Sequence, residues 1–276
     1  MTICERTVIL SDTHLGRPGS RVRSADSLRP LWADAKKLIV NGDLAELNDV
    51  VHRGDAARHV LRLQGLCDAD GVHLCLLSGN HDPLITDRRY LRLGGGEIFI
   101  THGDILHSAI SPWNTDAHRL KKLHEDALAS LDASAQNHFE SRLEAAQYAS
   151  HFKWDELAEK TEPPRSWFQR KLGTAANITR VLWYWYTLPR LAAEFASRYV
   201  PESRFFIFGH IHRAGIWRHD GRIIINTGAY QFPAKPHVVV IEGDRLAVWP
   251  VLYRNQTFVF GRRPMAQFVL AQLPHS

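Results

Sequence analysis

Five short apolar runs in this chain each lead into a His, Asp or Asn motif, and that recurrence constrains the fold more than any other feature. VIL leads into Ser11-Asp12-Thr13-His14, LIV into Gly42-Asp43, LCLL into Gly79-Asn80-His81-Asp82, IFI into His102-Gly103-Asp104 and FFIF into Gly209-His210-Ile211-His212. Short apolar runs bounded by turn formers read as strands buried on both faces. Each polar motif therefore falls where a strand ends and a loop begins, and in open α/β sheets that edge is where sites are built. Any one of these motifs could be a turn former, because His, Asp and Gly favour turns for conformational reasons. Five in the same structural position need a chemical explanation.

Between residue 7 and about residue 101 the runs alternate with stretches of helical character near 25–37 and 49–67. In the second stretch Val50, Val51, Ala57, Val60, Leu61 and Leu63 recur at helical spacing, which predicts that they share one face. Such alternation implies a largely parallel sheet covered by helices. After His102-Gly103-Asp104 the pattern changes. Residues 113–159 are rich in Ala, Leu, Glu, Lys and Gln, Pro163-Pro164 breaks the stretch, and 166–199 predicts a further helical stretch ending at Pro201. FFIF, RIIINTGAY, HVVVIE and LAVWPVLY follow with turn sequences such as Arg218-His219-Asp220-Gly221 and Glu242-Gly243-Asp244 between them, so antiparallel strands are expected to complete the chain. The expectation is one α/β domain over 1–276 with an α-helical insertion at about 105–203.

At 276 residues the chain can bury a full core. Its cysteines, Cys4, Cys67 and Cys75, are odd in number and lack CxxC spacing, which argues against a disulfide framework or a thiolate zinc site. MTICERTVIL lacks the apolar core and cleavage site of a secretory signal, and no stretch approaches the ~20 apolar residues that span a bilayer. A cytoplasmic setting is the expectation. The formal charge of +5 is localised: positions 163 to 200 hold Arg165, Arg170, Lys171, Arg180, Arg190 and Arg198 against Glu194 alone. An excess confined to one segment argues against nucleic acid as the partner.

Asp12, His14, Asp43, Asn80, His102, His210 and His212 supply seven O and N donors and no thiolate, which suits Mn²⁺, Fe²⁺ or Zn²⁺. Seven is too many for one such ion. Shared by two ions with one bridging carboxylate, the set gives each ion four protein ligands and leaves room for water and substrate. Two-metal sites of this kind suit in-line displacement at phosphorus, with a metal-bound water or hydroxide as nucleophile. In DxH and GHxH, alternation along an extended segment would put residues i and i+2 on one side, and the glycines permit turns that aim the next side chain over the sheet edge.

The ordered series DxH, GD, GNHD, HGD and GHxH resembles the calcineurin-like metallophosphoesterase family, and the resemblance spans essentially the whole chain outside the helical insertion. It implies a four-layer α/β sandwich of two mixed sheets flanked by helices. It also implies two divalent ions, with Mn²⁺ first and Fe²⁺ or Zn²⁺ as alternatives. Asp12, His14, Asp43 and His212 would hold one and Asp43, Asn80, His102 and His210 the other, with Asp43 as the bridge. By the same analogy His81 contacts the scissile phosphate and protonates or stabilises the leaving oxygen, and Asp82 orients the His81 ring. The activity implied is hydrolysis of a phosphomonoester, phosphodiester or pyrophosphate bond. An insertion between the HGD and GHxH blocks is similar to that of the UDP-diacylglucosamine pyrophosphohydrolases. Those enzymes carry Arg where this chain has His81, and His81 matches the broader phosphodiesterase and phosphatase branches. A rival from another class is a non-catalytic binding scaffold on the same fold; the complete ligand set and His81 argue for an enzyme.

Arg17 after the first motif and Arg88 after the third are candidate phosphate clamps, with solvated loop charge as the plain alternative. Glu46 reads as a helix-start residue or one that orients a ligand, and His107 as a surface or packing residue. In Trp183-Tyr184-Trp185-Tyr186 four successive residues circle a helix, so at least half must pack inward. The exposed remainder, with Arg180 and Arg190, is expected to cap an apolar or anionic part of a phosphorylated small-molecule or lipid-linked substrate, or to rest on a membrane surface.

Overall fold

In a computed structural model the apolar runs form two sheets, with residues 5–111, 117–157 and 167–271 described; the side chains of 152–177 and of 180 lie outside that description. The strands before the insertion are β1 (Thr7–Leu10), β2 (Lys37–Asn41), β3 (His73–Leu77), β4 (Tyr90–Leu93) and β5 (Ile98–Thr101), with α1 (Arg53–Asp70) between β2 and β3. Three helices follow: α2 (Ala117–Ala129), α3 (Phe139–Leu157) and α4 (Trp167–Tyr199). The remaining strands are β6 (Phe205–Phe208), β7 (Gly215–His219), β8 (Arg222–Asn226), β9 (His237–Glu242), β10 (Arg245–Arg254), β11 (Thr257–Phe260) and β12 (Ala266–Val269).

One sheet has the order β11-β10-β9-β1-β2-β3, with β12 also pairing β10; the other has the order β4-β5-β6-β8-β7. Pairing is parallel within β1-β2-β3 and within β5-β6-β8, and antiparallel elsewhere in both sheets. Parity along each strand makes the layers. Ile9, Ile39, Cys75, Ile98, Ile100, Phe205, Ile207, Ile223 and Ile225 meet in one core between the sheets. Their chain neighbours face outward: Val8, Leu10, Leu38 and Val40 pack under Trp32 and α1, and Phe99, Phe206, Phe208 and Ile224 pack against α3 and α4. Period-two alternation of residues that are apolar on both sides is what allows a sheet to be covered on both faces. The result is four layers, helix, sheet, sheet, helix.

Several expectations change in detail. The stretch near 25–37 becomes a short 3-10 helix, Ala25–Leu31, with Pro30 inside it. Helix α1 starts at Arg53, so Val50 and Val51 precede it and are exposed, as is Leu61; its inner face is Ala56, Leu63, Leu66 and Cys67. β4, β7 and β12 lack an uninterrupted apolar run because at least one of their faces is open to solvent. The C-terminal strands are not all antiparallel, since β6 and β8 pair in parallel. Among the described residues of 105–203 there are helices and no strands. Trp113, Glu159, Pro163-Pro164, Arg165 and Cys4 lie outside the described residues. No helix is long and apolar enough to cross a membrane among the residues described.

Helix α4 continues through Pro189, which has no N–H for the carbonyl of Trp185. The Arg213 guanidinium donates to that carbonyl instead. Leu188, Ala192, Phe195 and Ala196 form the stripe by which α4 covers the second sheet, with Val200 just past its end.

The core between the sheets must be tightly filled for the two sets of strand ends to stay in register. Ile39→Ala, fully buried there, is expected to cost about 2–5 kcal/mol of unfolding free energy in urea titration.

Candidate metal centre

All five motifs follow parallel strands, β1, β2, β3, β5 and β6, and so collect at one edge of the sandwich. The loops are tied together by their backbones: Asp12 N–H donates to the Gly42 carbonyl at 3.1 Å, His14 N–H to Asp43 at 3.0 Å, and Gly209 N–H to His102 at 2.9 Å. The DxH and GHxH residues do not converge by strand alternation. Asp12, His14, Asp43, His210 and His212 all have positive φ, between 47° and 71°. A left-handed conformation in a non-glycine residue is uncommon, and here each one turns a donor off a strand end toward the same volume. His210 and His212 accordingly point into different clusters.

Gly79 and Gly209 are needed for close approach rather than for an unusual turn. A Cβ on Gly79 would run into the Asp43 carboxylate, and one on Gly209 into Asp12 and Ser11.

Asp12, His14, Asp43 and His212 form one group of potential ligands whose donor atoms lie within 4.8 Å of one another, and Asp43, His102 and His210 form a second. The Asp43 carboxylate belongs to both. Its Oδ2 is 3.8 Å from His14 Nε2 and 3.3 Å from His102 Nε2, and His102 Nε2 is 3.2 Å from Asn80 Oδ1. In the first group His212 Nε2 is 3.3 Å from Asp12 Oδ1 and 3.1 Å from His14 Nε2. Donors bound at ~2.1 Å to one ion sit roughly 3–3.5 Å apart, so these spacings fit shared cations.

The rear nitrogens fit as well. His102 Nδ1 donates to the Asn41 carbonyl at 3.0 Å, His210 Nε2 to the Ile110 carbonyl at 2.7 Å, and His14 Nδ1 to Glu46 Oε1 at 2.8 Å. A carbonyl can only accept, so the remaining nitrogen of a neutral His102 or His210 carries a lone pair. Rear hydrogen bonds of this kind set the tautomer and orientation of metal-binding histidines. His212 Nδ1 lies against the Gln231 amide.

The electrostatics ask for positive charge. Asp12 and Asp43 are essentially buried, which by itself would raise their pKa values; the histidines around them more than reverse this and hold both below the usual carboxylate range. Burial would lower His102, yet Asp43 and Asp12 drive it up to about 10. His210, buried and beside His102, is pushed down to about 4. Four imidazoles and two carboxylates at these distances are a donor set suited to divalent cations.

His81 stands beside this group with its N–H donating to Asp43 Oδ1 at 2.9 Å. The partner of its ring is Glu46, whose Oε2 accepts from His81 Nδ1 at 2.8 Å while Oε1 accepts from His14. The Asp82 carboxylate, expected to orient His81, is instead taken up by the N–H groups of Gly79, Asp43, Leu44 and Ala45 at 2.7–3.2 Å. It ties the third motif to the second, as a carboxylate will where several backbone donors converge. Burial lowers the His81 pKa, but Asp43 and Glu46 outweigh it and leave the ring protonated above the ordinary imidazole range.

A cavity of about 610 Å³ opens over the centre. Asp43, Asn80, His81, His210, His212 and Arg17 form its polar floor, and Ile178, Val181, Leu182 and Trp185 of α4, with Phe232 and Pro233, form an apolar wall. Arg17 also donates to Glu46 at 3.4 Å. Arg88 is not among the lining residues: its guanidinium contacts Cys75 Sγ at 3.2 Å. Neighbouring Arg89 is buried against Asp104 at 2.7 Å. The Arg180 side chain lies outside the described residues. His107, expected to pack or lie at the surface, bonds to Tyr184 at 2.7 Å. Cys67 is buried and pushed up to about 12, which leaves it an inert thiol. Gln231, Ser111 and Phe232 carried no signal in the sequence, since none belongs to a motif.

No protein-family model and no curated protein matches the chain. Among solved structures, a conserved uncharacterised protein and predicted phosphoesterase from Streptococcus pneumoniae is similar at 13% identity, covering 96% of this chain and 97% of its own, with a TM-score of 0.41. Vacuolar protein sorting 29 from Cryptosporidium parvum is similar at 13% identity over 96% and 99%, TM-score 0.42. A dimetal phosphatase from Danio rerio is similar at 12% identity over 93% and 98%, TM-score 0.45. Similarity at this level leaves the chemistry to be argued from the residues of this chain.

Titrating Mn²⁺ into metal-free protein should raise the melting temperature, because an ion that binds only the folded state stabilises it by mass action. Asp43→Ala, which removes the carboxylate common to both groups, should abolish most of that rise in a thermal-shift measurement.

Proposed function

We propose that this protein is a two-metal phosphoesterase, hydrolysing a phosphomonoester, phosphodiester or pyrophosphate bond. The observation that carries the reading is the convergence of four imidazoles and two carboxylates around Asp43, with the rear nitrogens of His14, His102 and His210 already engaged by acceptors. Asp12, His14, Asp43 and His212 would hold one ion and Asp43, Asn80, His102 and His210 the other, with Mn²⁺ first in order and Fe²⁺ or Zn²⁺ compatible with the same donors. A pair of such ions supplies Lewis acidity at the phosphoryl oxygens and activates water near neutral pH.

The protein's own groups complete the reaction. His81, held by Glu46 and facing the cavity, donates a proton to the leaving oxygen. Arg17, which lines the cavity, is placed to pair with a non-bridging phosphate oxygen. Asp82 acts on the backbone, holding the second and third motifs together. The apolar wall suits a substrate whose phosphate is attached to an apolar group, a UDP-linked sugar lipid being one example. We place the enzyme in the cytoplasm, a setting with which the odd number and spacing of its cysteines agree.

Turnover of a panel tests the reading: an aryl phosphomonoester, an aryl phosphodiester, a cyclic nucleotide and a UDP-linked sugar lipid, with Mn²⁺ present. Loss of all activity on metal removal and in Asp43→Ala is expected. Metal-loaded protein inert toward every compound would favour the non-catalytic scaffold. Because His81 must be protonated to act as the acid, the rate should fall as pH rises through the pKa of its ring. Glu46→Gln removes one of the carboxylates that raise it, so the basic limb of the pH–rate profile should move to lower pH, and an unmoved limb would take His81 out of that role.

The exposed side of α4 suggests where the substrate is met. Trp183 and Tyr186 are 59% and 83% exposed, and Phe232, at 86%, joins the cavity wall to the surface. Aromatic residues with a polar tip, in a segment with six cations and one acid, suit the interface of an anionic bilayer. Trp183→Ser with Tyr186→Ser should weaken sedimentation with phosphatidylglycerol vesicles by about tenfold while sparing turnover of a soluble aryl phosphate. Equal sedimentation of variant and parent would remove the membrane from the proposal.

A further inference from the structure

The four successive aromatic residues 183–186 of α4 divide by function, and two of them reach the loops that carry the candidate metal donors. Tyr184 Oη lies 2.7 Å from His107 Nε2, with the rings edge to face at 5.0 Å. His107 Nδ1 accepts the N–H of Ala109 at 3.0 Å, so in the neutral ring the proton sits on Nε2 and Tyr184 accepts it. The Ile110 N–H donates to the His107 carbonyl at 2.8 Å. Both bonds fold 107–110 into a tight turn in which Ile110 takes a φ of +56° while 1% exposed. For a β-branched residue that conformation is an outlier and persists only where the surroundings impose it. Its consequence is that the Ile110 carbonyl points at His210 Nε2, 2.7 Å away.

Trp185 acts on the other side of the same histidine. Its Nε1–H donates to the carbonyl of Ile211, the residue after His210, at 2.8 Å. Arg213, two residues further on, donates to the Trp185 carbonyl that Pro189 leaves without an intrahelical partner. One helical dipeptide thus grips both the loop that accepts from His210 and the backbone that carries it.

We infer that Tyr184 and Trp185 are positioning residues that hold His210 in orientation for the second metal, so that the helical insertion is part of the metal centre and not only a cover over it. The inference rests on the two-metal reading proposed above. Tyr184 acts through His107, the strained Ile110 turn and the Ile110 carbonyl. Outer partners of metal-binding histidines typically govern affinity by 10- to 100-fold.

Metal stoichiometry and affinity measured by calorimetry with Mn²⁺ test it in the full chain. Tyr184→Phe keeps the ring and removes only the hydroxyl; it should weaken the second equivalent by about tenfold and leave the first unchanged. Leu188→Val, on the same face of α4 but without a bond to either loop, should leave both equivalents at parental affinity and serves as the control for packing. His107→Asn combined with Tyr184→Phe should be no worse than either alone, as two links of one chain. If the parent protein binds fewer than two equivalents, the two-metal reading fails. If the parent binds two and Tyr184→Phe binds both with parental affinity, or if Leu188→Val lowers the second equally, the positioning role is wrong.

Discussion

The rest of this structure depends on burying carboxylates faster than it buries cations. Asp12, Asp43, Glu46, Asp82 and Asp104 are all shielded from solvent, whereas the only lysine or arginine among the described buried residues is Arg89. An isolated buried carboxylate is prohibitively costly, so each must find compensation. Arg89 compensates Asp104, and backbone N–H groups compensate Asp82. Glu46 has two histidines and Arg17. Asp12 and Asp43 draw on imidazoles that can be neutral ligands or cations, which is the arrangement in which divalent ions do most for stability. Folding of the motif edge and filling of the centre are therefore one electrostatic problem.

Much of this was legible in the sequence because both sheets are covered. A strand apolar on both faces cannot hide as a loop, and VIL, LIV, LCLL, IFI and FFIF each became a strand. β4, β7 and β12 were illegible for the complementary reason: with a face open to water, residues such as Arg92 in β4, Arg218 in β7 and Gln267 in β12 interrupt the apolar signal. The motif residues could be named because their types are chemically restricted. Their mode of convergence could not, since positive φ at Asp12, His14 and Asp43 is a tertiary outcome enforced by loops bonding to loops across the sheet edge.

The exchange of roles between Asp82 and Glu46 shows the same limit at one residue pair. Adjacency makes Asp82 the natural partner for His81 when only the chain is considered. In space, the turn that brings Asp43 N–H, Leu44 N–H and Ala45 N–H together offers a carboxylate more donors than an imidazole can, and Asp82 goes there. Glu46, one side-chain carbon longer and carried by the neighbouring loop, spans from His14 to His81 with one oxygen for each. His14 and His81 are thereby oriented by a single group.

The insertion completes the argument about strain. Left-handed residues at the strand ends, and Ile110 in the loop after β5, cost energy that local sequence does not repay. Packing of α4 on the second sheet supplies the restraint, because its Ala192, Phe195 and Ala196 stripe fixes the height at which Tyr184 and Trp185 meet the loops. Proline at 189 is tolerated there for a positive reason: it releases the Trp185 carbonyl to Arg213, so that a defect in the helix becomes a bond to the segment bearing His210 and His212. Aromatic residues pointing inward tie the helix to the motif loops, and those pointing outward leave it an apolar face open to solvent.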